Sequence, residues 1–179
     1  MCGIAGYLAK ERGAPADAAA VRRITDHIAH RGPDAAGLFV DGACALGHRR
    51  LSIIDLSPEA NQPLFNEDES VAAVVNGEIY NYVELREELL QKGHRFRSSS
   101  DCEVVLHLYE EHGEAFVSRL DGMFALLVLD RRKQLILGAR DRSGKKPLFY
   151  RRLPDGAIAF ASEVGALVRA FPDARPEVD

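Results

Sequence analysis

Met1-Cys2-Gly3-Ile4-Ala5-Gly6-Tyr7 opens the chain, and the reading of Cys2 decides what the remaining residues are for. Residues 2–9 read as a strand, mostly apolar, with Gly3 and Gly6 leaving room for a second backbone or a ligand. Cys2 stands one residue behind Met1. Removal of Met1 gives Cys2 a thiol and a free α-amine on one residue. The α-amine titrates near neutrality, so such a nucleophile carries its own base and needs no catalytic His or Asp. The plainer alternative is a small apolar residue leading into a strand, because a lone Cys is usually buried for packing. At this position both readings stand.

The 179 residues fit one domain with a real core. A hydrophobic share of 46% and a charged share of 28% are those of a soluble globular chain. The net charge is −4, with the signs mixed along the chain, so no basic block points to nucleic acid or anionic lipid. The longest strongly apolar run, 123–129, is far shorter than the ~20 residues a membrane helix needs. No charged segment followed by an apolar one opens the chain, so no signal peptide is expected. Cys2, Cys44 and Cys102 are odd in number and lack paired spacing, which argues against a disulfide framework. A reducing cytoplasm fits, and it keeps a Cys2 thiol free.

Asp17 can cap a helix over 17–29 that places Val21, Ile24 and Ile28 on one face. Residues 30–34 break it. A hairpin around Asp41-Gly42 joins 38–40 to 44–46, and 51–55 reads as a third strand. Residues 71–75 read as a buried strand ending in an Asn76-Gly77 turn. Asn81 with Glu84, and Ser100 with Glu103, look like capping boxes opening helices to about 92 and 112. Strands follow at 123–130, 135–139, 147–150 and 157–161, then a helix over 164–170. Residues 171–179 read as a tail or the start of a linker. Short connections favour antiparallel pairing, and helices grouped between strand blocks favour α+β layers over a doubly wound sheet.

Gly138 and Gly144-Lys145 do not make a phosphate loop, because the spacing is off and Lys146 stands where Ser or Thr belongs. His27 and His30 have no second ligand cluster in the sequence, so no metal is expected. A thiol attacking a carbonyl needs donors for the oxyanion, and Asn76-Gly77 offers a side-chain amide and a backbone N–H. An ordinary turn remains the alternative there. The α-carboxylate of an amino-acid substrate suits a guanidinium, for which Arg50 is the candidate, and its α-ammonium suits carboxylates such as Glu78 and Asp101. Asp101 also reads as a helix-start residue, where the dipole favours the ionised form.

Eight motifs occur in order: Cys2-Gly3-Ile4-Ala5-Gly6, His30-Arg31-Gly32-Pro33-Asp34, Arg50-Leu51-Ser52-Ile53-Ile54-Asp55, Asn76-Gly77-Glu78-Ile79-Tyr80-Asn81, Ser100-Asp101-Cys102-Glu103, Asp121-Gly122-Met123-Phe124-Ala125, Arg140-Asp141-Arg142-Ser143-Gly144-Lys145-Lys146-Pro147-Leu148 and Ala161-Ser162-Glu163. Together they resemble the glutaminase domain of class II glutamine amidotransferases, most closely the N-terminal domain of glutamine-hydrolysing asparagine synthetases. The resemblance covers residues 2–170. It implies an N-terminal-nucleophile hydrolase fold, an αββα sandwich of two stacked, mainly antiparallel sheets. It implies hydrolysis of L-glutamine to L-glutamate and ammonia. Cys2 would be the nucleophile, Asn76 and Gly77 the oxyanion hole, Arg50, Glu78 and Asp101 the head-group ligands, and Leu51, Ser52, Ile53 and Ile54 pocket residues. Arg31 would support the nucleophile strand. The implied partner is an ATP-dependent synthetase domain or subunit that receives the ammonia. Its Ser-Gly-Gly-x-Asp-Ser-type loop is absent from these residues, so ATP and Mg would belong to that domain and no cofactor to this one. A homodimer stays open, as do a different acceptor and a non-catalytic glutamine-binding module.

Overall fold

Period-two alternation pairs the first segment with the stretch that follows the hairpin turn. In the computed structural model, which describes residues 1–11 and 13–172, these are β1 (Gly3–Leu8) and β3 (Cys44–Arg50). β2 (Ala35–Asp41), β8 (Phe149–Arg152) and β9 (Ile158–Ala161) complete a five-stranded sheet in the order β2-β3-β1-β9-β8. β4 (Leu64–Phe65), β5 (Val71–Ile79), β6 (Gly122–Asp130) and β7 (Leu135–Arg140) form a second sheet in chain order. Every neighbouring pair is antiparallel.

Each sheet is apolar on both faces. Between the sheets, Ile4, Cys44 and Leu46 meet Ala72, Val74, Ala125, Leu127 and Leu129. On the outer face of the first sheet, Ala5, Tyr7 and Ala159 pack against Val21, Ile24 and Ile28 and against Ala166 and Leu167. Those residues come from α1 (Ala18–His27) with the residue after it, and from α4 (Val164–Ala170). On the outer face of the second sheet, Ala73, Val75 and Leu126 pack under Leu85 and Leu89 of α2 (Tyr82–Gln91) and Val105 and Leu108 of α3 (Val104–His112). The result is the expected αββα sandwich. No helix among the described residues is long and apolar enough to cross a membrane.

α1 starts where the sequence places it, with the Asp17 carboxylate accepting from the Ala20 N–H at 2.7 Å. Four expectations need correction. Residues 51–55 are not a strand, because their backbone groups turn to side chains and Asp55 takes a positive φ of 57°. Asn76-Gly77 is not a turn, because β5 runs through both to Ile79. Gly77 is needed there for close approach: a Cβ would lie 2.2 Å from the Met123 carbonyl oxygen and 2.6 Å from the Phe124 Cα. Asn81 does not cap α2 with its side chain, which instead bridges the Arg119 carbonyl and the Asp121 N–H. Ser100 caps a 3₁₀ turn over Asp101–Glu103, and Glu103 accepts from the Arg97 and Ser98 N–H groups rather than closing a box. From residue 173 on, the expected tail lies outside the described residues.

Leu127 is fully buried between the sheets and faces Gly6. Leu127→Ala is expected to cost about 2–5 kcal/mol. A lower denaturant midpoint at an unchanged m-value checks it.

Candidate active site

The inner faces of β1, β3 and β5 carry the site. Ile4 of β1, Cys44 and Leu46 of β3, and Ala72 and Val74 of β5 point between the sheets. Stepping two residues along each strand brings Cys2, Arg50, Asn76 and Glu78 to the same inner side at one end of the sandwich. Gly3 pairs with Arg49, so Cys2 and Arg50 are lateral neighbours. A small cavity of about 110 Å³ opens there, lined by Cys2, Arg50, Leu51, Ile53, Ile54, Asn76, Gly77, Glu78 and Asp101. This is well below the ~300–1,000 Å³ of pockets for drug-sized ligands, so it suits a small molecule.

The backbone around Cys2 is fixed from several sides. Arg31 Nε donates to the Cys2 carbonyl at 3.0 Å, and its Nη1 pairs with Glu163 at 3.1 Å. Ser162 Oγ accepts from the Ile4 N–H at 2.9 Å. Gly3 lets the end of α1 close over the strand, since a Cβ would lie 2.8 Å from Ile28 Cδ1. The Cys2 sulfur accepts from the Leu51 N–H at 3.4 Å and lies 3.6 Å from the Leu51 carbonyl oxygen. The three thiols differ in setting. Burial pushes Cys44 up to about 11 and Cys102 well above the ordinary thiol range, the latter helped by the Asp101 charge. Both are buried, whereas Cys2 is half-exposed at the cavity.

Arg50 ends β3 nearly buried. Its Nη1 donates to the Ser57 carbonyl at 2.9 Å and to Asn61 Oδ1 at 2.8 Å, and its Nη2 donates to the Asp55 carbonyl. Three of its five N–H donors thus brace the 55–61 loop, leaving Nε–H and one Nη2–H. His48, one inner-face step before Arg50, is fully buried with Nε2 3.3 Å from the Val75 carbonyl oxygen. Burial lowers its pKa to about 3, so at neutral pH it is an uncharged ring.

The backbone of β5 supplies a second kind of donor. Val75 bonds both its N–H and its carbonyl to the Gln62 side chain, and the Ile79 N–H donates to Asp101 Oδ2 at 2.8 Å. Alternation then turns the intervening Gly77 N–H to the same edge, beyond the end of β4. Asn76 is buried, and its Nδ2 has no hydrogen-bond partner among the described residues. Asp101 departs from expectation. Burial raises its pKa, the hydrogen bond from Ile79 lowers it, and the nearby Glu78 charge raises it further. A three-residue 3₁₀ turn aligns too few dipoles to overcome that burial.

Ser52 does not line the cavity; its N–H donates to Asp34 Oδ2 at 2.8 Å. Gln62, Cys102 and Lys146 do line it, and sequence reasoning missed them. Lys146 arrives through the 140–148 motif, which folds around Asp141. That carboxylate accepts from the Phe124, Lys145 and Lys146 N–H groups at 2.9–3.2 Å. Met1 also lines the cavity, joined to Cys2 as an amide.

Residues 1–179 match the family model described as a glutamine amidotransferase domain. Over 167 residues, 93% of this chain, it is 48% identical to asparagine synthetase [glutamine-hydrolyzing] 3 of Arabidopsis thaliana and 46% identical to asparagine synthetase [glutamine-hydrolyzing] of Asparagus officinalis. The chain spans 28% of the length of each. Among solved structures it is similar to the glutamine phosphoribosylpyrophosphate amidotransferase of B. subtilis, with a TM-score of 0.75 and 25% identity, covering 96% of this chain and 43% of that one. With its αββα sandwich and the match along its full length, the chain belongs to the glutamine amidotransferase domain family.

Proposed function

We propose that this domain hydrolyses the side-chain amide of L-glutamine to L-glutamate and ammonia. The observation that carries this reading is a single small cavity holding the half-exposed Cys2 thiol, the unpartnered Asn76 amide, the Arg50 guanidinium and the Glu78–Asp101 pair. Arg50 offers its two remaining N–H donors to the substrate α-carboxylate. Glu78 and Asp101 crowd two acidic groups together, and an α-ammonium between them relieves both. Leu51, Ile53 and Ile54 wall the aliphatic part of the substrate.

The Cys2 α-amine takes the thiol proton and becomes the α-ammonium, the sulfur attacks the amide carbon, and the carbonyl π pair moves to oxygen. The Asn76 Nδ2 and the Gly77 N–H stabilise that oxyanion. Collapse expels ammonia, which takes its extra proton from the Cys2 α-ammonium, and leaves a thioester. Water then adds to the thioester carbon, glutamate leaves, and the thiol is restored. Arg31 acts as a positioning residue through the Cys2 carbonyl. The names of the relatives support asparagine synthesis as the use of the ammonia. The acceptor in this reading is an ATP-dependent synthetase domain acting on aspartate, with ATP and Mg belonging to that domain. Free thiols suit a reducing cytoplasm as the place of action.

The α-amine exists only after Met1 is removed. A preparation shown by mass spectrometry to retain Met1 is expected to release no glutamate, while the processed chain turns over. Full activity with Met1 attached rules out the α-amine as base. A processed chain that binds glutamine without cleaving it makes the domain a binding module instead.

A further inference from the structure

On the outer side of the second sheet, far along the chain from Cys2, four side chains converge, of which only His107 and Glu110 are neighbours by helical spacing. Their ligand atoms all lie within 4.8 Å of one another: one oxygen each from Glu67 and Glu110, and one nitrogen each from His94 and His107. We propose that these residues form a binding site for one divalent cation of the zinc type. The ion would clip the loop after β4 and the α2–α3 connection to α3.

The distances fit such an ion. Ligands about 2.0–2.1 Å from a tetrahedral centre stand about 3.3–3.4 Å apart. His107 Nδ1 lies 3.2 Å from Glu110 Oε2 and 3.5 Å from Glu67 Oε2. His94 Nδ1 lies 3.5 Å from Glu67 Oε1 and 3.7 Å from Glu110 Oε2. Two imidazoles with two carboxylates favour zinc over calcium or magnesium, which prefer all-oxygen shells. Glu67 and Glu110 are partly exposed and leave the ion a way in, while His107 is fully buried.

The ligands are themselves held. Asn66 Nδ2 donates to Glu110 Oε1 at 2.7 Å, which leaves Oε2 for the centre. The Arg95 N–H donates to Glu67 Oε1 at 2.8 Å and steadies that carboxylate. The ring nitrogens turned away from the centre also face carboxylates. His94 Nε2 is 3.3 Å from Glu111, and His107 Nε2 is 3.9 Å from Glu103 with no hydrogen-bond partner among the described residues. Histidine ligands backed by carboxylates are a common second layer around zinc. Lys92 faces the group only through Glu111, at 2.8 Å.

The rival arrangement is a metal-free ion-pair network. Burial by itself would lower the His107 ring, but the Glu103 and Glu110 carboxylates beside it outweigh that and raise the pKa to about 9. An incoming ion must therefore displace a proton from that ring.

The test uses the whole chain in a Cys2→Ser background, stripped with chelator, so that the half-exposed thiol cannot bind the probe. Zinc chloride is titrated by calorimetry, and cobalt(II) is followed by its visible absorption. The expected result is one ion per chain, an intense four-coordinate cobalt spectrum without a thiolate charge-transfer band, and a raised Tm. Glu67→Gln and His94→Gln should each weaken binding at least tenfold and remove the Tm shift. Should His94→Gln fail to fold, Glu67→Gln on the exposed side carries the test. No saturable binding, binding unchanged by Glu67→Gln, or a thiolate band overturns the proposal.

Discussion

Cys2→Ala is expected to lower glutamate and ammonia release by on the order of 10³-fold or more, because no second group can form the acyl intermediate. Cys102 cannot substitute for it, since the same cavity wall holds that thiol buried and protonated. Glutamine binding should survive, since Arg50, Glu78 and Asp101 are untouched. The sulfur's own contacts are two weak ones to Leu51, so little structure is lost with it. Turnover is read by coupled glutamate detection and binding by calorimetry on the same preparation. Wild-type turnover in the variant would assign the chemistry elsewhere. Loss of binding together with turnover would make Cys2 a pocket-forming residue.

The second large effect is expected at Asn76. Truncation to Ala should lower kcat by about 10²–10³-fold and leave KM nearly unchanged, as for removal of one oxyanion donor. The Asn76 Nδ2 has no partner among the described residues, so losing that amide nitrogen orphans no acceptor there. That predicts little loss of stability, measurable as a nearly constant Tm. A rise in KM at constant kcat would mean that Asn76 binds ground-state substrate instead.

The sequence carried the layers and the site unequally. Strand and helix positions were legible because 2–9, 44–46 and 123–130 alternate or run apolar in ways only packed sheets reward, and because Asp17 punctuates a helix by local chemistry, although the strand from Cys44 runs on to Arg50. Asn76-Gly77 misled because the dipeptide usually marks a turn, whereas here the glycine answers to a neighbouring strand pressing on it. Residues 51–55 misled because their apolar pattern mimics a strand while their N–H groups go to Cys2 and Asp34. Asp101 was read from its place at a helix start, yet burial, which no local pattern reveals, governs its proton. Gln62, Cys102 and Lys146 reach the cavity only through tertiary folding, as do the four residues of the proposed cation site.

Cys2, Arg50, Asn76 and Glu78 reach one another by counting in twos from core residues of three different strands. Such a site tolerates exchange of one apolar neighbour for another far better than a change in strand length. One residue added between Val74 and Val75 would turn the amide toward the helices and bring a valine to the thiol, with the overall composition almost unaltered. In these strands spacing is therefore the heritable quantity under the tightest constraint.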